Sequence, residues 1–333
     1  MINFGIIGMG IRGNLFARFI SQNPYAQLVA FSELDNDKNK NAVKRWKVEG
    51  YRNYKDMLKK EKLHAVIVTT PDHTHKDPVV EALRRDLHIL VEKPFATNTD
   101  DAEHMVHEAK RAGTQCMVAF ENRWNPVAVS TKNEINNDAL GRIITVNASL
   151  SNTVHVPLKR FPWSSGTTCG WYLLCHLLDL TYYLTGRKAT SVYAFGTKEI
   201  LKRAGVDTYD YIHTIVKYGD NSDGVYETLW ILPESSPNVY DFQYSIYGEK
   251  GYIKMNPGHQ MIDKATDTFS YPRSLIVDYG NKIIGFPGYM SDDFVDCVRL
   301  GQPVQASFED GLNNTKLLDA IHLSLRTGNE EHT

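Results

Sequence analysis

Cysteine, net charge and long apolar runs are all scarce in this chain of 333 residues. The four cysteines show no C-x-x-C spacing, which excludes a disulfide scaffold and is typical of reduced thiols in a cytoplasmic protein. A formal net charge of −2 gives no electrostatic reason to expect nucleic acid or an anionic membrane as a partner. No apolar run approaches the ~20 residues that span a bilayer, and no signal peptide precedes the first strand-like residues. We therefore expect a soluble, cytoplasmic protein with room for two domains.

The first part of the chain alternates strand-like and helix-like segments. Strands joined through helices form a parallel sheet covered on both faces, a doubly wound α/β arrangement. Ligands bind at the carboxyl ends of the strands in such a sheet. The predicted strands are Ile2–Ile7, Gln27–Phe31, Ala65–Thr69, His88–Val91 and Gln115–Phe120.

After about Asn122 the pattern becomes β-rich. Alternation of apolar and polar residues, as in Tyr209–Tyr218, predicts an antiparallel sheet with one buried face. Gly170–Thr185 is the one strong helix between these strands, and helices at Gly288–Leu300 and Phe308–Thr327 close the chain.

Aromatic residues are frequent in and beside the later strands. A sheet face that carries them is either a subunit interface or a core face under helices. Few helical segments remain to cover this sheet, so we favour the interface. The residues concerned are Trp230, Tyr240, Phe242, Tyr244 and Tyr247.

A glycine-rich turn follows the first apolar run and precedes an amphipathic stretch. In a strand–turn–helix setting, G-x-G-x-x-G is typical of a dinucleotide-binding turn: the glycines allow the tight turn, the approach of a pyrophosphate and close helix–strand packing. The anion then lies at the helix N-terminus, where free N–H groups favour negative charge. A tight turn without a ligand is the alternative. The predicted cofactor contacts here are Gly8, Gly10, Ile11, Arg12 and Gly13.

Glu33 stands at the end of the second predicted strand. A carboxylate at that position accepts hydrogen bonds from the hydroxyls of an adenosine ribose and repels a 2′-phosphate, which favours NAD over NADP. The next residue is Leu34 rather than an arginine. A solvated loop acid is the alternative reading.

The loop from Thr69 to His75 follows the third clear strand. We predict that Thr70, Pro71 and His75 line the cofactor. The histidines at 73 and 75 also resemble a metal-binding pair, but no cysteine or carboxylate cluster accompanies them, so we expect no metal site.

Lys93 follows another strand, in the motif Glu92-Lys93-Pro94. An ammonium group there can hydrogen-bond a reacting hydroxyl or carbonyl and stabilise negative charge on oxygen during hydride transfer. Both Glu92 and Lys93 are predicted to lie at the cofactor. Pro94 biases Lys93 towards extended backbone geometry.

His176 and Asp179 are spaced i, i+3 on an otherwise apolar helix and therefore share a face. A titratable pair on a mostly buried helix is costly unless it is paired or functional. Histidine is the natural proton acceptor near neutral pH, so we predict His176 as general acid or base. A structural histidine is the alternative.

These motifs together resemble the Gfo/Idh/MocA family of NAD(P)-dependent oxidoreductases. The resemblance implies an N-terminal Rossmann domain at residues 1–121 and, at residues 122–333, a substrate-binding and oligomerisation α+β domain with a large open, mostly antiparallel sheet. It leaves open whether helix 308–327 packs back on the first domain. It also implies sugars, polyols or inositol-like substrates and a homodimer or homotetramer formed through the open sheet. The motifs are the glycine turn, Glu33, Thr70–His75, Glu92–Pro94, Asn122–Pro126, His176-x-x-Asp179 and Glu309–Leu312.

The chain departs from that family at Tyr172, where many members carry an aspartate one helical turn before the histidine. A phenol can donate a hydrogen bond but, with an ordinary pKa near ~10, cannot replace a carboxylate. The departure puts the substrate in doubt and leaves the fold unthreatened. The predicted substrate contacts are Arg123, His155, Trp163, Tyr172 and Asp179.

Three functions remain open at this level. The leading hypothesis is an NAD-dependent dehydrogenase of CH–OH groups, with Lys93 at the reacting oxygen and His176 moving the proton. The second is a sugar enzyme that retains NAD and catalyses elimination or glycoside hydrolysis without net redox change. The third is a catalytically silent NAD- or sugar-binding regulator.

Overall fold

The computed structural model describes residues 1–333 and divides the chain into two compact units. Unit 1 comprises Met1–Glu121 and Ile276–Asn313. Unit 2 comprises Asn122–Leu275 and Asn314–Thr333. The predicted roles, dinucleotide binding for residues 1–121 and substrate binding and oligomerisation for residues 122–333, stay a prediction.

The N-terminal stretch of unit 1 forms one parallel sheet. Its strands are β1 Ile2–Ile7, β2 Ala26–Ser32, β3 Glu49–Tyr51, β4 Ala65–Val68, β5 His88–Val91 and β6 Cys116–Val118. Their order is β3-β2-β1-β4-β5-β6, and every neighbouring pair is parallel. This confirms the predicted doubly wound sheet. The order reverses between β1 and β4, so the loops that follow these two strands flank the usual ligand crevice of such a sheet.

Five helices connect these strands, and polar side chains mark where several begin. The helices are α1 Ile11–Gln22, α2 Asn36–Trp46, α3 Tyr54–Lys60, α4 Lys76–Leu83 and α5 Thr99–Ala112. Asp35 caps α2, Asn53 caps α3 and Asn98 caps α5, each by accepting a hydrogen bond from a backbone N–H of the first turn. Helix α1 starts at Ile11, directly after Gly10, and has no side-chain cap, which leaves N–H groups of its first turn for a ligand.

Unit 2 begins with a helix and then builds a second sheet. Its helices are α6 Pro126–Asn136, α7 Cys175–Thr185 and α8 Ile200–Arg203, and a wider π-helical turn at Gly170–Leu174 leads into α7. Its strands are β7 Ile143–Asn152, β8 Ala189–Thr197, β9 Tyr211–Tyr218, β10 Asp223–Leu229, β11 Tyr240–Gly248, β12 Tyr252–Met255, β13 Lys264–Ala265 and β14 Phe269–Ser270.

The rest of the chain contributes to both units. Its elements are the hairpin β15 Ile276–Tyr279 and β16 Lys282–Gly285, helices α9 Phe286–Leu300 and α10 Phe308–Thr327, and the short strand β17 Glu331–His332. Short 3₁₀ or π turns cover Asp72–Thr74, Glu121–Trp124, Val156–Arg160, Ser164–Gly166 and Pro257–His259. None of the helices is both long enough and apolar enough to cross a membrane.

The sheet of unit 2 has seven strands in the order β12-β11-β7-β10-β9-β8-β17. Only β7 and β10 run parallel, which confirms the mostly antiparallel prediction. One face is buried in a core that includes Leu177 and Leu180 of α7.

The prediction that these aromatic residues form a subunit interface is wrong for Trp230, Phe242 and Tyr244, and for Tyr240, which packs against the same core. Tyr247 is half-buried beside Tyr252, outside that core, and for it the interface stays a prediction. Trp230, Phe242 and Tyr244 are almost fully buried in the core cluster that includes α7. Helix α7, the preceding turn and part of α10 cover this face of the sheet. The opposite face exposes other apolar side chains, among them Phe195 and Ile215.

Candidate active site

The glycine turn after β1 shows three different reasons for glycine. Gly8 has φ +95°, and a Cβ there would lie 2.8 Å from the carbonyl oxygen of Thr69. A Cβ on Gly13 would lie 2.0 Å from the carbonyl oxygen of Gly8. A Cβ on Gly10 would meet no protein atom within 4 Å. Protein packing therefore does not require glycine at position 10. A pyrophosphate that approaches the backbone at this position would require it, because a side chain would occupy the same space, so the turn fits the cofactor.

The Glu33 carboxylate lies beside this turn. Its Oε2 accepts a hydrogen bond from the Met9 N–H at 2.8 Å, and its Oε1 accepts one from the Asp35 N–H at 2.9 Å. Leu34, the next residue, is 75% exposed. The acid thus joins the turn after β1 to the loop after β2, the two places between which an adenosine ribose lies in this type of sheet.

The loop after β4 is fastened to both neighbouring strand ends. Thr69 donates its Oγ1 hydrogen to the Gly8 carbonyl at 2.5 Å. His75 is buried, with Nε2 3.0 Å from the Thr70 carbonyl and Nδ1 2.9 Å from the Pro94 carbonyl. His75 therefore braces the loop against the turn that carries Lys93. His73, its partner in the metal interpretation, is exposed, and no group of three or more His, Cys, Asp or Glu is placed to hold a metal ion.

Lys93 lies on a turn held by charged neighbours. Its backbone N–H donates to Glu92 Oε2 at 3.2 Å, and Glu92 Oε1 accepts from Arg12 Nε. The second arm of Arg12 donates from Nη2 to Glu121, which follows β6. Burial lowers the pKa of the Arg12 guanidinium, but the carboxylates of Glu121 and Glu92 outweigh burial and raise that pKa overall. A permanently charged arginine thus fixes Glu92, which in turn orients the Lys93 backbone.

His176 lies in the first turn of α7, on the partly open side of that helix. Between Trp171 and Thr181 only Tyr172 and His176 are not buried. The side-chain amide Nδ2 of Asn122 lies 3.3 Å from His176 Nδ1 and orients the imidazole.

Arg123 and Asp179, both predicted as substrate contacts, contact each other. Arg123 Nη2 donates to Asp179 Oδ1 at 2.6 Å and Arg123 Nε donates to Oδ2 at 3.1 Å. Their side chains are 4% and 3% exposed. This bidentate pair fixes the segment that carries Asn122 against the helix that carries His176. Their substrate role stays a prediction.

Two residues of α10 that no sequence motif indicated, Asn314 and His322, bind α7 and the segment that precedes it. Asn314 donates from Nδ2 to the Cys175 carbonyl at 3.1 Å. His322 Nδ1 lies 2.7 Å from the Leu318 carbonyl, so Nδ1 donates and Nε2 accepts from the Thr168 hydroxyl at 2.7 Å. That hydroxyl oxygen in turn accepts from the Trp171 N–H at 3.1 Å.

The His322 imidazole is neutral because of where it lies. Burial lowers its pKa to about 4, although the hydrogen bond to Leu318 and the charge of Asp319 act in the opposite direction. The ring also stacks on Trp171 at a centroid distance of 4.6 Å. No sequence motif points to this residue, since it is a lone histidine on a long helix.

The other two predicted substrate contacts lie on or near the loop before α7. The His155 side chain is 46% exposed and its Nδ1 lies 3.6 Å from Glu234 Oε2. Trp163 is half-buried and stacks on Phe161 with ring centroids 4.8 Å apart.

Comparison with known proteins covers nearly the whole chain. Residues 2–120 match the family model of the Gfo/Idh/MocA oxidoreductases for an NAD-binding Rossmann fold, and residues 132–331 match the model for the C-terminal alpha/beta domain. The chain is 24% identical to glucose-6-phosphate 3-dehydrogenase of Bacillus subtilis (strain 168), over 96% of this chain and 95% of that protein.

Two further similarities are to inositol dehydrogenases. Myo-inositol 2-dehydrogenase of Thermotoga maritima is 23% identical over 93% of this chain and 92% of its own. The crystal structure of scyllo-inositol dehydrogenase from Lactobacillus casei, with bound NAD(H) and scyllo-inositol, superposes with a TM-score of 0.84 at 19% identity and covers 100% of this chain and 99% of that chain. At that identity the structural likeness shows the fold.

Proposed function

The chain belongs to the Gfo/Idh/MocA oxidoreductase family, and from that premise we propose that it is an NAD-dependent dehydrogenase acting on CH–OH groups. It transfers a hydride between the nicotinamide and a secondary alcohol or ketone of a sugar, polyol or inositol-like substrate. The relatives named glucose-6-phosphate and inositol dehydrogenases support this substrate class.

One observation carries the proposal. Because all six strands of the N-terminal sheet of unit 1 are parallel, the glycine turn, Glu33, the Thr70–His75 loop and Lys93 all follow strands at the same edge of that sheet. NAD supplies the hydride acceptor when it binds at that edge. The chain itself supplies the open space at Gly10, the free N–H groups at the start of α1 and a lysine held by a charged network.

Lys93 and His176 are proposed to share the work on the reacting hydroxyl. The Lys93 ammonium donates a hydrogen bond to the oxygen and stabilises the negative charge that develops there. The His176 imidazole takes the hydroxyl proton during oxidation and returns it during reduction. Tyr172 adds a phenolic hydrogen bond on the same partly open side of the helix.

We propose that Glu33 makes the enzyme prefer NAD to NADP. Its carboxylate, fixed by the Met9 and Asp35 N–H groups, meets the ribose hydroxyls and repels a 2′-phosphate. Glu33→Ala is expected to reduce the ratio of NAD to NADP affinity by at least about tenfold. Asp37→Ala, which removes an equal charge from the first turn of α2, is the control and should leave the ratio unchanged. An unchanged ratio in Glu33→Ala means that Glu33 does not contact the ribose.

The experiment that tests the function mixes the purified protein with NAD and pools of polyols, aldoses, inositols and sugar acids. Accumulation of NADH with one pool establishes a dehydrogenase. Tight NAD binding with substrate conversion but no free NADH supports the retained-cofactor alternative instead. Binding of NAD and a sugar without any conversion supports the regulator, the alternative that Tyr172 keeps open.

We also propose a homo-oligomer through the outer face of the unit 2 sheet. Tyr193, Phe195, Ile215 and Val225 are 41–49% exposed on neighbouring strands β8, β9 and β10. Ile215→Glu should lower the molar mass measured by light scattering.

A cytoplasmic location is inferred from the four buried free cysteines.

A further inference from the structure

Two consecutive residues, Asn122 and Arg123, contact helix α7 about one helical turn apart. The side-chain amide of Asn122 meets His176, with Nδ2 3.3 Å from Nδ1 of the imidazole. Arg123 binds Asp179, three residues further along the helix, through the buried bidentate ion pair. Because that ion pair fixes both segments, the Asn122 amide stays opposite the imidazole, while the amide group itself can still rotate.

The atoms that meet in this contact determine which ring nitrogen carries the proton. The Nδ2 of an amide only donates, so Nδ1 of His176 is the acceptor. The neutral imidazole then carries its single proton on Nε2. In this arrangement Nε2 donates a hydrogen bond to a substrate oxygen but has no electron pair with which to take a proton from it.

Oxidation of an alcohol needs the opposite arrangement of protons on His176. The hydroxyl proton has to pass to Nε2 while the carbon gives its hydride to the nicotinamide and the C=O bond forms. Nε2 is free to accept only when the neutral ring carries its proton on Nδ1, and the imidazolium that results has N–H groups on both nitrogens. In both states the Nδ1–H faces Asn122, which is 8% exposed, and needs an acceptor there.

An asparagine side chain can meet both requirements. Half a turn about the Cβ–Cγ bond puts Oδ1 in the place of Nδ2 with almost no change in shape. The contact with His176 is the single hydrogen bond of the Asn122 side chain, so the rotation breaks no other bond. Aspartate at this position could only accept, and leucine, which has a similar shape, could neither donate nor accept.

We propose that Asn122 is a positioning residue that sets His176 as proton donor or proton acceptor by rotation of its amide. In the donor setting, the one in the structure, Nδ2 faces the imidazole and His176 donates a hydrogen bond from Nε2 to the substrate oxygen. In the acceptor setting, Oδ1 faces the imidazole, and His176 takes the hydroxyl proton during oxidation and returns it as the imidazolium during reduction. The acceptor setting rests on the proposed function, whereas the donor setting describes the protein at rest and does not.

The first test determines the tautomer of His176 in the protein without NAD or substrate. Long-range proton–nitrogen correlation spectra of protein labelled with ¹⁵N-histidine show which ring nitrogens carry protons, and His176→Gln identifies the signals of His176. At about pH 8, where an ordinary imidazole is neutral, the wild type is expected to carry the proton on Nε2. Asn122→Asp, whose carboxylate only accepts, should move the proton to Nδ1.

The second test measures the rate of NADH formation with the active carbohydrate pool. Asn122→Leu removes both settings and should lower the rate at least about tenfold. Asn122→Asp keeps the acceptor that oxidation needs and should retain most of the wild-type rate. The control is Asn133→Asp, which introduces the same charge at an exposed position of α6 and should change neither the tautomer nor the rate. Thermal melting of each variant checks the fold.

Three results would overturn the proposal. They are a wild-type imidazole that carries its proton on Nδ1 at rest, an Asn122→Asp imidazole that keeps it on Nε2, and an Asn122→Leu protein that forms NADH at the wild-type rate. The tautomer is measured without turnover, so the two proposals fail separately. NADH formation with an unexpected tautomer refutes the role of Asn122 alone. Tautomers as expected, without NADH formation from any pool, support the control of His176 by Asn122 and refute only the dehydrogenase.

Discussion

Replacing Gly10 or Gly13 of the glycine turn with alanine should show separately what the turn contributes to cofactor binding and to folding. At Gly13 the new Cβ would lie 2.0 Å from the Gly8 carbonyl oxygen, about 1 Å closer than Cβ atoms tolerate. The backbone has to move, and overpacking of this kind costs about 1–3 kcal/mol in free energy of unfolding. At Gly10 the Cβ meets no protein atom within 4 Å and φ is −71°, so Gly10→Ala should change the free energy of unfolding by less than about 0.5 kcal/mol.

NAD binding, in contrast to stability, is expected to be sensitive to the substitution at Gly10. The Gly10 Cβ occupies the space through which the pyrophosphate approaches the backbone, so Gly10→Ala should weaken NAD binding at least about tenfold. Urea unfolding measures stability, and calorimetric titration with NAD measures affinity. Gly113→Ala, at a helix end with φ +66° and no neighbour for its Cβ, is a control that perturbs the unit 1 backbone away from the turn. A Gly10→Ala protein that binds NAD as tightly as the wild type refutes the assignment of this turn to the cofactor.

The remaining predictions concern groups buried in unit 2. Asp179→Ala leaves Arg123 buried without its bidentate partner and should cost about 3–5 kcal/mol in urea unfolding. Glu249→Ala, which breaks the exposed pair with Arg142, should cost less than about 1 kcal/mol; equal losses would contradict a buried ion pair. Because burial lowers the pKa of His322 to about 4, the unfolded chain binds more protons than the folded chain between that pH and about 6.5, so stability falls as the pH falls through this window, by roughly 3 kcal/mol in all. His322→Phe keeps a ring against Trp171 and should lose this part of the pH dependence; an unchanged slope means that His322 does not titrate as described.

The parallel sheet was predictable because its signals are local. Each inner strand is a short apolar run. Three of the five helices, α2, α3 and α5, begin at a capping side chain, and α5 also ends at Gly113. Strand β3 has three residues and no periodicity, so nothing local announces it. Helix α6 was missed although Asn125 caps it and Pro126 opens it, a start signal that its weak apolar pattern obscured.

The aromatic face of the second sheet was misassigned because cover depends on tertiary structure. Period-two alternation shows that one face of a strand is apolar and says nothing about what lies on it. In unit 2 the turn at Gly170–Leu174, α7 and part of α10 all contribute to the core under β7–β11. The count of helices in the sequence is therefore a poor measure of how much of the sheet is covered.

The positions of the candidate site residues in the fold could be predicted from the sequence, but most of their side-chain contacts could not. The glycine turn, Glu33 and Lys93 belong to motifs at strand ends, and the order of strands and helices determines where those ends lie. That Arg123 would contact Asp179, 56 residues away, does not follow from spacing. The same holds for His322, whose link to Thr168 spans 154 residues.

The central claim is that Lys93 acts on the reacting oxygen in hydride transfer. The most direct test measures, on the same preparations, the rate of NADH formation with the active carbohydrate pool and the affinity for NAD, in the wild type and in Lys93→Ala. Lys76→Ala, a lysine of the same unit paired with Asp101, is the control. The account predicts a rate lowered at least about 10²-fold in Lys93→Ala with NAD affinity nearly unchanged. Wild-type rates of NADH formation in that variant would contradict the account.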